Sequence, residues 1–491
     1  MNIKNGLKIL LPAAILLAVG IYIISNTCLI TKDGPYYIEQ AQKFAANPLE
    51  VIKHHYFGYP FLIYITHKAA SVFGATDSPA SWAVSAQSIT LACMLAAFVP
   101  LYLIGKSFIG KNKTLCALLI LSVLPYPVRF SCDIIRDWPY ILFLILGIAA
   151  VVLASSGKKW WAWGLAGVIA ALGSFIKPEA GQIIIYALIW LCFCVISPRY
   201  QMTRKKAVLS ALLLLVCFTA VLLPYLYVKQ QFVPEKIEEM MNSSQSQPQE
   251  TTVFTAAITP RLATSAVKVF ERTGENLFYY FFVLALIGFY QRFIKDFRKI
   301  SDLERVLVIS FILFNFIMLV WLYSSSGYLS RRHCLPMSLL FLFYCPDGIE
   351  FVSQKLSGVL KQKAGFLFSV LLVAGIVLCL PALLAAKRND RAGLLDAAKW
   401  LNSNTPKESL IAVGDSRISF YAQREGFYAQ RESFYAWERK DFGNADFAVV
   451  EVQSDVNSPD WGEKTTEFWV NPQKKKSRLV IYKLRTDIEK N

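Results

Sequence analysis

The 491-residue chain carries 51 lysines and arginines against 34 aspartates and glutamates, a formal charge of +17. Hydrophobic residues make up 55% of it and charged residues only 17%, whereas about a quarter of the residues of a soluble domain are charged. This composition excludes a wholly soluble enzyme, and so much apolar surface also excludes an intrinsically disordered chain. From Lys387 onward 18 basic residues accompany 16 acidic ones, so the other +15 lies in the apolar part. Positive charge interleaved with apolar runs indicates membrane topology and no nucleic-acid partner.

A membrane-spanning helix needs about 20 mostly apolar residues. The sequence predicts eleven spans, near 7–30, 82–105, 114–130, 138–155, 160–176, 180–197, 206–228, 277–293, 304–323, 333–350 and 364–385. If the N-terminus is cytoplasmic, every short cytoplasmic connection is basic, as the positive-inside rule requires. An odd number of spans then places the tail on the external face, together with two long loops at 31–81 and 229–276.

The tail, residues 387–491, has the pattern of a small soluble domain. Apolar residues from Arg391 to Asn402 recur at helical spacing. Short apolar runs predict three buried strands, at Leu410–Val413, Phe447–Val452 and Leu479–Tyr482. We therefore expect an α-helical polytopic membrane protein, residues 1–386, with a C-terminal periplasmic α/β domain.

Asp33 follows the first span directly, in Thr31-Lys-Asp-Gly-Pro35. One interpretation is a helix N-cap, because Gly34 and Pro35 suit a first helical turn. The other is a catalytic base, since the same position fixes a carboxylate at the membrane surface. Spacing alone does not choose between the two.

Three further charged clusters are predicted to lie on the same external face. They are Asp133 with Asp137, Lys177 with Glu179, and Arg331 with Arg332. Asp133 and Asp137 are four residues apart and share a face if their turn is helical. Each cluster alone is typical of a solvated span end, but together they suit a site for a lipid-borne phosphate. In such a site the cations hold the phosphate and a carboxylate accepts a proton.

The sequence contains no P-loop, dinucleotide-binding fingerprint, HExxH, CxxC or D-x-D motif. All of its histidines fall on the predicted external side, and His54 and His55 precede Tyr59-Pro60. Adjacent histidines on a loop are usually only solvated. Histidine is also a common metal ligand, and a divalent metal at His54 and His55 stays an open alternative.

Several short features follow one another in a recognisable order. They are Asp33 with Tyr36, Tyr37 and Ala41; the Tyr59-Pro60 step; Leu101–Gly110; the Pro125–Pro139 turn; Lys177-Pro-Glu179; and Arg331-Arg-His-Cys-Leu-Pro336. Over residues 7–350 this order resembles the membrane-embedded glycosyltransferases of the GT-C class. Within that class it resembles the bacterial branch related to protein O-mannosyltransferases and to lipid A aminoarabinose and galacturonic acid transferases. Gly34 stands where that family often has a second acid.

The resemblance implies an inverting transferase that moves a sugar from a polyprenyl-phosphate donor to a hydroxyl of a lipid, glycan or protein. It implies that Asp33 is the base and that Arg331, Arg332 and Lys177 bind the donor phosphate. The expected location is a bacterial inner membrane. Two alternatives stay open: a polymerase or ligase of lipid-linked glycans, and a transporter or flippase.

Overall fold

A computed structural model of the protein describes residues 3–156, 159–200, 202–230, 254–428, 442, 444–453, 459 and 461–485. The apolar part is helical. Its α-helices are α1 (Ile3–Ser25), α2 (Gly34–Ala46), α3 (Pro48–His54), α4 (Gly58–Val72), α5 (Pro79–Phe108), α6 (Lys111–Leu121), α7 (Pro125–Ser131), α8 (Asp137–Ser155), α9 (Ala162–Ser174), α10 (Gln182–Ile196), α11 (Arg204–Lys229), α12 (Phe254–Asn276), α13 (Tyr280–Tyr290), α14 (Asp302–Ser326), α15 (Leu335–Leu342), α16 (Cys345–Leu360) and α17 (Ala364–Leu384). Short 3₁₀ turns, Pro178–Gly181 and Arg331–Cys334, precede α10 and α15.

The polytopic membrane fold is confirmed. Within the described residues, 7 helices are long and apolar enough to cross a membrane, or up to 10 if each bent pair counts as one span. The bent pairs are α6 with α7, the later part of α12 with α13, and α15 with α16. The span predicted near 160–176 corresponds to α9, whose 13 residues fall short of a normal span.

Between the first two long spans, α2, α3 and α4 form the helical segment that corresponds to the predicted loop 31–81. The Tyr59-Pro60 step lies in the first turn of α4, where proline is tolerated because its missing N–H would be unpaired there. Of the predicted loop 229–276, residues 231–253 lie outside the described residues. The remainder, Phe254–Asn276, is helix α12.

Close helix contacts depend on small residues at one crossing. Gly288 in α13 and Gly348 in α16 face each other's helices. A Cβ on Gly288 would collide with the carbonyl oxygen of Tyr344, and one on Gly348 with that of Leu284. Glycine therefore lets these two backbones approach closely, as small residues commonly do in membrane bundles.

The tail forms the predicted α/β domain. Its elements are α18 (Gly393–Asn404), β1 (Leu410–Val413), α19 (Ser416–Ala422), β2 (Glu425–Tyr428), β3 (Phe447–Val452), β4 (Gly462–Trp469) and β5 (Arg478–Leu484). The sheet order is β2-β1-β3-β5-β4. β1 pairs in parallel with β2 and β3, whereas β5 is antiparallel to β3 and β4. The three predicted strands are present at the centre of the sheet, and the two strands that the sequence did not predict, β2 and β4, form its edges.

A buried ion cluster joins the tail to the helical part. The Asp133 carboxylate lies 2.6 Å from Lys387 Nζ and 2.7 Å from Arg388 Nη2, and its side chain is 6% exposed. Burial opposes ionisation of Asp133, but the charges of Lys387 and Arg388 outweigh burial and hold the pKa of the carboxyl below its ordinary value. The junction therefore places the tail at the end of the bundle from which Asp133 emerges.

Candidate active site

Two cavities meet at that end of the bundle. The inner cavity, about 570 Å³, lies among α8, α10, α14 and the turn before α15. The interdomain cavity, about 1160 Å³, lies between the α2 region and the tail, and is lined from the tail by α19 residues such as Ser416, Ser419 and Phe420. Tyr36 and Tyr37 line both cavities, so α2 forms the wall that they share.

Asp33 and Arg332 form an ion pair at the boundary between the cavities. Arg332 lines the inner cavity and Asp33 the interdomain cavity. Arg332 Nη1 donates to Asp33 Oδ2 over 2.7 Å, with 31% of the arginine and 44% of the aspartate side chain exposed. The pair is therefore accessible to molecules in either cavity.

Asp33 holds the N-cap position of α2, but its side chain makes no capping hydrogen bond. Its backbone is in the right-handed helical region, whereas a capping residue normally adopts an extended conformation. The carboxylate is instead directed to Arg332. The N-cap interpretation thus describes the position of Asp33 and leaves its side chain available for another role.

The two neighbouring arginines point to different places. Arg331 lies with its guanidinium carbon 4.2 Å from the centre of the Tyr126 ring and Nε 3.6 Å from Glu275 Oε2. Its carbonyl accepts a hydrogen bond from Asn276. Arg331 is therefore committed to contacts with α7 and α12, and Arg332 is the one that lines the inner cavity.

Lys177, Asp137 and Glu179 all line the inner cavity with Arg332. Lys177 Nζ lies 2.8 Å from Asp137 Oδ1, and both side chains are nearly buried, at 11% and 5% exposed. Lys177 also lies 5.3 Å from the centre of the Tyr140 ring. Because its charge is already paired with Asp137, Lys177 offers a ligand less charge than an unpaired cation would.

Asp133 and Asp137 do not share a face, because residues 134–136 between them are not helical. Helix α7 ends at Ser131 and α8 begins at Asp137. Asp137 is directed to the inner cavity, whereas Asp133 is directed to the tail junction. The structure therefore separates two carboxylates that a helical turn would have placed together.

Tyr59 and the two histidines lie away from the cavity walls. Tyr59 is completely buried and its hydroxyl pairs with Thr90 Oγ1 at 2.9 Å. His55 Nδ1 pairs with the Tyr36 hydroxyl at 2.8 Å, and the rings of His54 and His55 are 6.4 Å apart. No group of three or more potential metal ligands is present among the described residues, and we derive no step through a metal ion.

Arg136 is a cavity residue that the sequence did not single out. It lines the inner cavity, its guanidinium lies 5.5 Å from the centre of the Tyr56 ring, and its Nη1 donates a 3.4 Å hydrogen bond to the Ile176 carbonyl. Among the described side chains it forms no ion pair with a carboxylate. The only sequence signal was a basic residue directly before a span, which is common at span ends.

The far wall of the inner cavity is apolar. It consists of Ile185, Phe314, Met318, Leu319, Trp321 and Leu322, from α10 and α14. Beside them Asn315 Nδ2 donates to Gln182 Oε1 and to Tyr186, both at 3.1 Å, so these buried amides are paired within the bundle. The inner cavity thus has an apolar wall toward the helices and cations at its outer end.

Comparisons with known proteins agree with this fold. The family described as dolichyl-phosphate-mannose-protein mannosyltransferase matches residues 59–224, and no curated protein matches the chain. The structure is similar to ArnT from Cupriavidus metallidurans bound to undecaprenyl phosphate: TM-score 0.60, 12% identity, covering 97% of this chain and 98% of that one. It is also similar to the apo oligosaccharyltransferase of Archaeoglobus fulgidus: TM-score 0.60, 12% identity, covering 92% of this chain and 70% of that one.

A third match is AglB from Archaeoglobus fulgidus in complex with an inhibitory peptide and a dolichol-phosphate. Its TM-score is 0.58 and its identity 14%, over 91% of this chain and 69% of that one. The resemblance inferred from the order of short features is therefore confirmed at the level of fold. The chain has the fold of the GT-C class of membrane glycosyltransferases.

Proposed function

We propose that the protein is an inverting glycosyltransferase that uses a polyprenyl-phosphate sugar. The observation that carries the proposal is the Asp33–Arg332 pair between the two cavities, with an apolar wall on the side of Arg332. A polyprenyl chain fits an apolar wall in a membrane bundle, and its phosphate fits the cations at the outer end. The acceptor would enter the interdomain cavity, on the side of Asp33.

In the proposed reaction, the acceptor hydroxyl oxygen attacks the first carbon of the sugar as the bond from that carbon to the phosphate oxygen breaks. Asp33 accepts the hydroxyl proton. The polyprenyl phosphate leaves with the bonding electrons, and Arg332 stabilises the charge that develops on it. Arginine carries five N–H donors in a planar fork, so Arg332 can hold the phosphate while it still donates to Asp33.

Arg136 is our second phosphate ligand. Its guanidinium lines the inner cavity together with Arg332, and its planar fork of N–H donors suits a phosphate. Lys177 would act mainly by fixing Asp137 at the cavity wall. Arg331 would hold the turn before α15, so that Arg332 enters the cavity.

Two of the similar structures contain a lipid phosphate. ArnT is bound to undecaprenyl phosphate, and AglB is in complex with an inhibitory peptide and a dolichol-phosphate. Both lipids are polyprenyl phosphates, which agrees with the donor class that we propose here. The acceptor stays within the class of hydroxyl-bearing lipids, glycans or proteins.

The function is tested by giving the purified protein a labelled polyprenyl-phosphate sugar or the matching nucleotide sugar, with membrane lipids and glycans as acceptors. We expect label to leave the polyprenyl phosphate for an acceptor, and no transfer from the nucleotide sugar. Arg136→Gln should lower the affinity for polyprenyl phosphate by about tenfold, as loss of one charge-assisted contact does. Translocation of the lipid across vesicles without any transfer would instead favour a flippase.

We also propose that the tail lies outside the cytoplasm, on the periplasmic face of a bacterial inner membrane. Lys387 and Arg388 contact Leu29 and Asp133, and Leu29 lies shortly after the end of α1 at Ser25. The tail therefore lies at the end of α1 opposite the N-terminus, whatever the number of spans. The basic short connections favour a cytoplasmic position for that N-terminus.

This topology predicts that an enzyme active only in the periplasm will be active when it is fused after Asn491. The matched control is the same fusion placed after Lys111, in a predicted cytoplasmic connection, which should be inactive. Activity at Lys111 and none at Asn491 would reverse the assignment of both faces.

A further inference from the structure

The segment Leu29–Asp33 connects the first span to α2 and ends at the proposed base. We call it the catalytic segment. Its first two side chains point into different domains: Leu29 is fully buried in the apolar core of the tail, with Leu394 and Ile418, and Ile30 packs in the core of the helical part. The catalytic segment is therefore built into both domains at once.

The main chain of this segment is held mostly by side chains of the tail. The Ile30 amide donates to the Tyr421 hydroxyl over 3.3 Å, and Arg417 Nη1 donates to the Ile30 carbonyl over 3.2 Å. Arg388 Nη1 donates to the Leu29 carbonyl over 3.0 Å. From the helical part, Thr31 Oγ1 donates to the Ile134 carbonyl over 3.0 Å.

Arg417 is unusual because it is a buried cation, only 5% exposed. Asp415 neutralises it through two hydrogen bonds, from Nε at 2.8 Å and from Nη2 at 2.6 Å. That leaves Nη1 for the Ile30 carbonyl. A buried ion pair costs desolvation and gains little stability over apolar packing, so the fixed position of the guanidinium calls for another explanation.

We propose that Arg417 and Tyr421 are positioning residues that fix Asp33 through the backbone of Ile30. The proposal rests on the proposed function of Asp33. A base must be held in the geometry of attack, and small displacements of a catalytic group slow a reaction strongly. Helix α19, which carries both residues, also lines the interdomain cavity with Ser416, Ser419 and Phe420. The tail is thus part of the active site, and the helix that would contact the acceptor is the helix that fixes the base.

The test uses the full-length protein with two mild substitutions, Tyr421→Phe and Arg417→Lys. Tyr421→Phe removes only the hydroxyl that accepts from Ile30. Arg417→Lys keeps the charge beside Asp415 but loses the planar fork. The control is Lys464→Gln, which breaks the exposed pair with Glu467 on β4, away from the segment.

For Tyr421→Phe we expect kcat to fall about tenfold, as loss of one hydrogen bond can cause, while the KM for the donor and the thermal midpoint stay unchanged. The kcat of Arg417→Lys should fall by less than the kcat of Arg417→Met, because the lysine can restore part of the contact with the Ile30 carbonyl. Lys464→Gln should match the wild type. Wild-type kcat in both Tyr421→Phe and Arg417→Lys would overturn the proposal. So would a parallel loss of rate, donor-binding capacity and thermal midpoint, because that pattern indicates misfolding.

Hydrogen exchange of the peptide covering residues 29–34 gives a measurement that does not depend on catalysis. Tyr421→Phe should raise exchange at the Ile30 amide about tenfold, and Lys464→Gln should not change it. If the wild type transfers no sugar but exchange rises, the proposed function fails and the contact of the tail with the segment stands. Unchanged exchange in Tyr421→Phe overturns the positioning role, whatever the activity.

Discussion

Asp33→Asn should lower sugar transfer by about a thousandfold, within the range attributed to a general base, and leave the affinity for polyprenyl phosphate nearly unchanged. The asparagine keeps the size of the side chain and can still accept the hydrogen bond from Arg332. It cannot take up the proton of the acceptor hydroxyl, so binding survives and the chemical step does not. Turnover and lipid binding measured on the same purified sample separate the two effects.

The control for this prediction is Asp390→Asn. Asp390 is an exposed carboxylate near the start of the tail, and it does not line either cavity. Its substitution removes the same charge and should leave turnover unchanged. Near-normal turnover in Asp33→Asn would reduce Asp33 to a residue that starts α2 and pairs with Arg332, and Glu179 would become the next candidate for the base.

The sequence was most informative where a physical signal is continuous along the chain. Long apolar runs identified the spans because a bilayer requires about 20 apolar residues in a row. Hydropathy carries no information on the direction of a helix axis. The sequence therefore did not predict the 71° bend between α6 and α7 or the 50° bend between α15 and α16. In the tail, β1, β3 and β5 have nearly continuous apolar runs, whereas β4 at the edge is largely exposed and its sequence lacks that signal.

Site residues were harder to predict because the pairs that build the site are far apart in sequence. Asp33 and Arg332 are 299 residues apart, and Lys177 is 40 residues from Asp137. That these residues share one end of the helical bundle could be predicted from the order of spans, but which cation meets which carboxylate depends on packing. Arg136 lies one residue from Asp137 and is not among the predicted site residues, because its place on the wall of the inner cavity depends on how the helices pack.

The tail illustrates the same limit in another way. Its α/β character was predicted from three apolar runs, but its relation to Asp33 was not. Leu29 falls inside the first predicted span, 7–30, yet it is buried in the core of the tail. Arg417 reads as a surface residue in a soluble domain, since arginine is seldom buried without a partner. The contact of Arg417 with the catalytic segment, and the burial of Leu29 in the tail, can be predicted only when the folds of both domains are known.

The second large effect is expected at Arg332. Arg332→Ala should lower donor-dependent turnover by about a hundredfold to a thousandfold, which corresponds to about 2.7–4 kcal/mol of lost transition-state stabilisation. Arg332→Lys should lose less turnover than Arg332→Ala, because the ammonium keeps the positive charge. It should still be slower than the wild type, because it lacks the planar fork that can donate to the phosphate and to Asp33 at the same time. Both variants should leave the choice of acceptor unchanged. Transfer rates measured against donor concentration check that turnover falls from the wild type to Arg332→Lys and further to Arg332→Ala.

The matched control is Arg331, the neighbouring guanidinium that packs on Tyr126 and Glu275 outside the inner cavity. Arg331→Lys should change donor use far less than Arg332→Lys. If Arg332 served only as a charged anchor at the membrane surface, lysine would restore full activity, and alanine would alter insertion into the membrane instead of turnover.

A double-mutant cycle with Asp33→Asn then separates the two roles of Arg332. Residues that act on one step are not additive, so Arg332→Ala should slow transfer less in the Asp33→Asn background, where no proton acceptor remains to be oriented and only the stabilisation of the leaving phosphate is lost. Its effect on the affinity for polyprenyl phosphate should be the same in both backgrounds, because the phosphate contact does not need the Asp33 charge. Full additivity in turnover would show that the ion pair between Arg332 and Asp33 has no part in the reaction, and the phosphate contact would then account for the whole effect.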